Sequence, residues 1–167
     1  MFLTEILLNS YLGKNISEIC LNGYDDKSEN HCAHFVSHAA NLDFGYTCRS
    51  HTGKKNQGAN LRVHEVFARC AKTSEVIQCS PSQSGLVFIS APSNFVTPKA
   101  GPTTMRNVPK KHIGFLLNGH IWHYSNGQDQ VVKQSLSQFL NHYPKQSNAL
   151  WLGSLPPTSR LVSFGQC

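Results

Sequence analysis

Cys32 sits between histidines in the run Asn30-His31-Cys32-Ala33-His34-Phe35-Val36-Ser37-His38, at the head of an apolar-periodic segment. A thiol attacks a carbonyl as the thiolate, and that form is favoured at a helix N-terminus and beside an imidazolium. The pattern predicts that Cys32 lies in the first turn of a helix, with its pKa lowered there. A cysteine nucleophile also needs a histidine to take its proton, and a third group to orient that histidine.

Residues 111–125 offer both. Two apolar runs, Lys-His-Ile-Gly-Phe-Leu-Leu and His-Ile-Trp-His-Tyr-Ser, flank Asn118-Gly119, the dipeptide that best signals a two-residue hairpin turn. That turn pairs Leu117 with His120, Leu116 with Ile121, Phe115 with Trp122 and Gly114 with His123. Side chains alternate along a strand, so His112, Gly114, Leu116, Ile121, His123 and Ser125 share one face, and His120 falls on the other. His112 and His123 become diagonal neighbours with Gly114 leaving room beside them. Spacing alone makes His112 the base and His123 the orienting group, or the reverse.

Blander roles are assigned to the remaining candidates. A buried cysteine is more often a small packing residue than a nucleophile. His34 and His38 have the i, i+4 spacing of a zinc pair, but no His-Glu-x-x-His motif accompanies them, so neither metal nor cofactor is expected. His31 is expected in solvent, His64 on a helix at the surface or an interface, and Trp122 and Tyr124 in the core. The six cysteines (Cys20, Cys32, Cys48, Cys70, Cys79 and Cys167) show no CxxC pair, and sequence assigns no disulfide among them.

The elements that must position these residues follow from periodicity. Residues 2–12 read as a short amphipathic helix ended at Gly13. A polar loop over 22–30 leads to the helix of Cys32, Phe35, Val36, Ala39 and Leu42, with Ser28 or Asn30 as its cap. Residues 49–58 read as a loop, and 59–70 as a second helix with Leu61, Val63, Val66, Phe67 and Cys70 inward. The period then changes to that of strands: 85–90, the hairpin, Asp129–Gln134, 149–154 and 160–164, with a short helix at 135–143. Residues 91–110 hold four prolines and read as a long loop, which in a compact domain is often functional. Helices first and an antiparallel sheet after predict one α+β domain spanning 1–167.

Composition narrows the function. With 40% hydrophobic and 14% charged residues the chain is globular, and no apolar run is long enough to span a bilayer. Residues 1–8 lack the features of a signal peptide, so export by that route is not expected. The net charge of +6 favours anionic surroundings. The only tight basic pairs are Lys54-Lys55 and Lys110-Lys111, and no nucleic-acid motif accompanies them, so nucleic acid is not expected as a partner.

Cysteine at a helix start, then a strand His-Ile-Gly, then a polar residue after a hairpin turn: in this order the chain resembles the NlpC-type papain-like cysteine peptidases. The resemblance spans about residues 20–125 and implies Cys32 as nucleophile, His112 as base and His123 as orienting residue. It further implies Tyr24 at the oxyanion site with the Cys32 N–H, and Ser125 beside substrate. Where that family has Asp-Cys-Ser-Gly, this chain has His31-Cys32-Ala33-His34. The expected activity is cleavage of amide bonds in the peptide stems of bacterial peptidoglycan. Small enzymes of this kind without a signal peptide resemble type VI secretion amidase effectors. That implies a monomer acting in the target cell's periplasm, with an immunity protein as partner and no stable membrane anchoring. The box His-Cys-Ala-His-Phe-Val is also similar to that of lecithin:retinol acyltransferase-like proteins, which implies acyl transfer or lipid hydrolysis as the alternative. Those proteins place His before Cys, whereas here Cys comes first.

Overall fold

The computed structural model describes residues 3–48, 58–77, 80 and 82–157. The expected strand at 160–164, nearly all of the loop at 49–58, Lys54-Lys55, Cys79 and Cys167 lie outside the described residues. The helices are α1 (Glu5–Asn9), α2 (Ile16–Ile19), α3 (Cys32–Ala40), α4 (Val63–Arg69) and α5 (Leu136–Leu140). The strands are β1 (Thr73–Glu75), β2 (Gly85–Ser90), β3 (Phe95–Val96), β4 (Thr104–Met105), β5 (Lys111–Leu117), β6 (His120–Ser125), β7 (Gln130–Ser135) and β8 (Ala149–Gly153).

Six strands form one antiparallel sheet in the order β1-β8-β2-β5-β6-β7. α1 to α4 precede it in the chain and α5 lies between β7 and β8, an α+β arrangement as expected. The short elements α2, β1, β3 and β4 have too few residues to show a period, and the sequence did not reveal them.

α3 forms where an apolar stripe meets good termini. Asn30 Oδ1 accepts the first helical N–H, from Cys32, at 3.1 Å. At the other end Asn41 adopts the left-handed conformation (φ 56°), and its N–H returns to the carbonyls of Ser37 and His38. The stripe lies on one face of the sheet, where Phe35 meets Phe115 edge-on at 5.8 Å between ring centres. Ile113, Trp122 and Tyr124 complete that core, with both hairpin aromatics fully buried as expected. Each fully buried side chain of this size contributes about 1.5–3 kcal/mol. The other face packs Val87, Ile89, Leu116 and Ile121 against Phe139 of α5 and Leu150 of β8.

The hairpin register is the predicted one: Leu117↔His120, Leu116↔Ile121 and Phe115↔Trp122. Asn118 and Gly119 both take positive φ, 49° and 73°, the conformation of a type I′ turn. Alternation then sends Ile113 and Phe115 toward α3, and His112, Gly114 and Leu116 toward α5.

Candidate active site

The ladder between β5 and β6 stops at Phe115↔Trp122. Continued by two residues, it would set Ile113 opposite Tyr124. Instead the Ile113 N–H is directed at the Cys32 sulfur. The main-chain N–H of His31 donates to Asn126 Oδ1 in the β6–β7 turn at 3.0 Å. The His31 ring packs edge-on against Tyr124, with 5.7 Å between centres. Cys32 is thereby brought against the amide of Ile113, one residue from His112. Cys32 and His112 thus belong to opposite faces of the sheet and meet neighbouring residues of β5, and neither His112 nor His123 lines the cleft at Cys32.

Cys32 is 1% exposed and borders a cleft of about 160 Å³. Arg62, His64, Lys110 and Lys111 supply the polar wall of this cleft, and Leu61, Val63, Val108 and Pro109 the apolar wall. The proline-rich segment 91–110 therefore builds one side of it. Lys110 takes a left-handed φ of 59° and is held there by Ser90, whose Oγ donates to its carbonyl at 2.8 Å. Lys110 also borders a second cavity of about 240 Å³, with His142 and Tyr143. His64, expected at the surface or an interface, is a wall of the first cleft, and its Nδ1 is buried without a partner.

The histidine pair forms as expected. His112 Nε2 lies 2.8 Å from His123 Nδ1, and His123 Nε2 lies 2.7 Å from Gln134 Oε1 on β7. With the Gln134 oxygen as the acceptor, these contacts set the tautomers. The Gln134 oxygen only accepts, so His123 Nε2 carries a proton and its Nδ1 a lone pair. His112 Nε2 then donates to that lone pair, and His112 Nδ1 is left unprotonated. A longer contact of 3.3 Å from His123 Nδ1 to the Tyr124 carbonyl is the weaker competitor. His112 Nδ1 is buried and has no hydrogen-bond partner. It is therefore a basic nitrogen with nothing yet to bind. Gly114 makes this packing feasible: a Cβ there would come within 3.1 Å of the His123 Cβ and 2.8 Å of the Trp122 carbonyl oxygen.

The expected lowering of the Cys32 pKa is corrected. Burial pushes the thiol up to about 12, and the opposing pull from the amides of Ile113, Ala33 and Cys32 itself does not offset it. The same exclusion of water, followed by the neighbouring His123 and His142, holds His112 well below the ordinary histidine range. A low-dielectric site disfavours both ions, so the resting pair is thiol and neutral imidazole. Among the described residues no hydrogen bond joins Cys32 to His112.

The two accessory candidates lie elsewhere. Tyr24 packs edge-on against the rings of His31 and His34, at 6.1 and 5.5 Å. Ser125 Oγ accepts from the Gln128 N–H at 3.3 Å within the β6–β7 turn. Neither borders the cleft at Cys32. The Cys32 N–H, expected to bind an oxyanion, is engaged by Asn30, which borders the cleft. His31 is fully buried rather than solvated, since its Nε2 meets the Asp26 carbonyl at 2.8 Å.

Three participants escaped the sequence reading. Gln134 follows from the alternation of the predicted strand 129–134, once that strand is paired with β6. His142 stacks on His112, with 4.0 Å between ring centres and 23° between planes, and no periodic signal places it there. Asn30 was read only as a cap.

No known protein family, curated protein or solved structure matches the chain.

Proposed function

We propose that the chain is a cysteine hydrolase of papain-like, NlpC-type construction that cleaves amide bonds in the peptide stems of bacterial peptidoglycan. The observation that carries this reading is the relay Gln134–His123–His112, which ends in an unprotonated, unpartnered nitrogen one residue along β5 from the amide against Cys32.

In this mechanism His112 Nδ1 takes the Cys32 proton as the sulfur attacks the amide carbon. The imidazolium so formed is stabilised through His123, and it returns the proton to the leaving amine. Water then hydrolyses the thioester with His112 again as base. Burial of both partners means that proton transfer accompanies attack, without a standing ion pair. The Cys32 N–H serves the oxyanion once Asn30 yields it. The cationic wall of Arg62, Lys110 and Lys111 suits a substrate bearing carboxylates, as peptide stems do. A cleft this small and this cationic favours a short anionic peptide over the acyl chain that the lipid alternative would need.

Action in a rival's periplasm, with an immunity protein to protect the producer, belongs to the same proposal. Purified chain is incubated with peptidoglycan sacculi and the soluble fragments are identified by mass spectrometry. New stem-peptide ends produced by the wild type and absent with Cys32→Ser support the reading. Undigested sacculi, or equal digestion by both proteins, sink it.

A further inference from the structure

A second cluster lies beyond the cleft, on the buried side of α3. Cys20 follows α2, His34 and His38 lie one turn apart on α3, and Cys48 lies between α3 and α4. One ligand atom from each lies within 4.8 Å of all the others. Cys20, His34 and Cys48 are at most 2% exposed. We propose that Cys20, His34, His38 and Cys48 form a structural zinc site.

The spacing fits the ion. Tetrahedral zinc, with bonds of about 2.0 Å to nitrogen and 2.3 Å to sulfur, sets its ligand atoms about 3.3–3.8 Å apart. His34 Nε2 and His38 Nε2 are 3.1 Å apart, and Cys48 Sγ lies 3.9 Å from His38 Nε2.

The surrounding groups prepare these atoms for a cation. The Asp26 carbonyl accepts from His31 Nε2 at 2.8 Å, which leaves His31 Nδ1 as an acceptor. His34 Nδ1 donates to it at 3.2 Å, so the His34 lone pair is on Nε2, aimed into the cluster. This is the outer-shell arrangement that fixes a metal-binding histidine. The Cys48 sulfur receives N–H groups from Asn22 at 3.2 Å and from Ala59 at 3.3 Å, which suits a thiolate. Two thiolates with a divalent cation make a neutral unit, the form in which such charges are buried at least cost.

Four protein ligands leave no position open to water, so the role is structural. Softness of the donor set favours zinc over magnesium or calcium. The ion would tie the segment 41–48, which has little regular structure, to the helix that carries Cys32. The inference does not depend on the proposed hydrolase.

The test uses the full chain, purified without chelator and desalted, with metal content measured by plasma mass spectrometry. The expected result is one zinc per chain in the wild type and in Cys32→Ser, and its loss in Cys48→Ser and His38→Ala. Cobalt substituted for zinc should give the visible bands of a tetrahedral ion and the near-ultraviolet charge transfer of two thiolates. If the variants do not fold, the wild-type cobalt spectrum decides alone: two-thiolate charge transfer upholds the site and its absence overturns it. Wild-type chain that retains no added Zn²⁺, loss of zinc in Cys32→Ser, or a Cys20–Cys48 disulfide in the intact protein also overturns it.

Discussion

His112 and His123 have the same chemistry, and their partners separate their roles. His123 is held at both nitrogens, whereas His112 is held only at Nε2. His112→Ala is expected to lower kcat by about 10²–10⁴, the usual contribution of a positioned general base. His123→Ala should lower kcat more than it changes KM, and His123→Asn should recover part of the loss. His120→Ala should be mild, since His120 is exposed and its Nδ1 meets only the carbonyl of Asn118. Steady-state kinetics of the four variants check this, and a crippled His120→Ala would reverse the assignment. Gln134→Leu removes the acceptor that sets the tautomers. One net hydrogen bond of about 1 kcal/mol corresponds to a roughly fivefold loss in kcat. Wild-type kcat in that variant would show that the relay does not begin at Gln134.

At the scale of elements, the hairpin is the part that the sequence predicted best. Asn118-Gly119 has one good conformation, and a two-residue turn admits one register, so the three pairs that form followed from two residues, while the expected Gly114–His123 pair lies beyond the end of the ladder. The stripe of α3 was equally readable because it lies within one period. The approach of Cys20 to Cys48 was not, since it depends on how α2 and the loop after α3 fold back. His31 and Cys32 were misjudged for a related reason: whether a polar group is solvated is decided by what covers it, and the Asp26 carbonyl and β5 are distant in sequence or direction. Gly114→Ala tests the packing of the pair. The new Cβ would meet the Trp122 carbonyl oxygen and Ile121 Cγ2 at 2.8 Å, so the cost is about 1–3 kcal/mol. Urea denaturation should show that loss. A stable variant with unchanged kcat would mean that β5 and β6 tolerate wider separation than their contacts indicate.

For the whole molecule, buried histidines and surplus charge set the response to solution conditions. His112, His123 and His142 are all held below the ordinary range, burial being the largest cause for each, and His142 is lowered to about 4. Unfolded histidines titrate near pH 6.5, so below that value the unfolded chain binds more protons than the folded one. Their contribution is present in full above about pH 6.5 and is lost as pH falls toward the folded values. His142→Asn removes one of these groups, so the urea midpoint of that variant should fall less between pH 7.5 and 5 than the wild-type midpoint. Equal falls would exclude His142 as a source of acid lability. The net charge of +6 and the cations at the cleft predict an effect of salt on substrate capture. KM for an anionic stem peptide should rise with sodium chloride while kcat holds. A KM indifferent to salt would show that Arg62, Lys110 and Lys111 do not face the substrate's carboxylates.

The end of the β5–β6 ladder at Phe115↔Trp122 makes the Ile113 amide a contested donor. Either the Cys32 sulfur or the strand opposite can satisfy it, but not both together. Replacing Cys32 by alanine therefore does more than delete a nucleophile. It strands a buried N–H, at a cost of about 1–3 kcal/mol, or it lets the hairpin zip two residues further and carry His123 with it. An alanine variant would be inert for two entangled reasons. Serine keeps an acceptor at that amide and isolates the loss of the sulfur nucleophile. The imidazole NMR signals of His112 and His123 should hold their positions in Cys32→Ser and shift in Cys32→Ala, because the atom that attacks the substrate also ends the ladder.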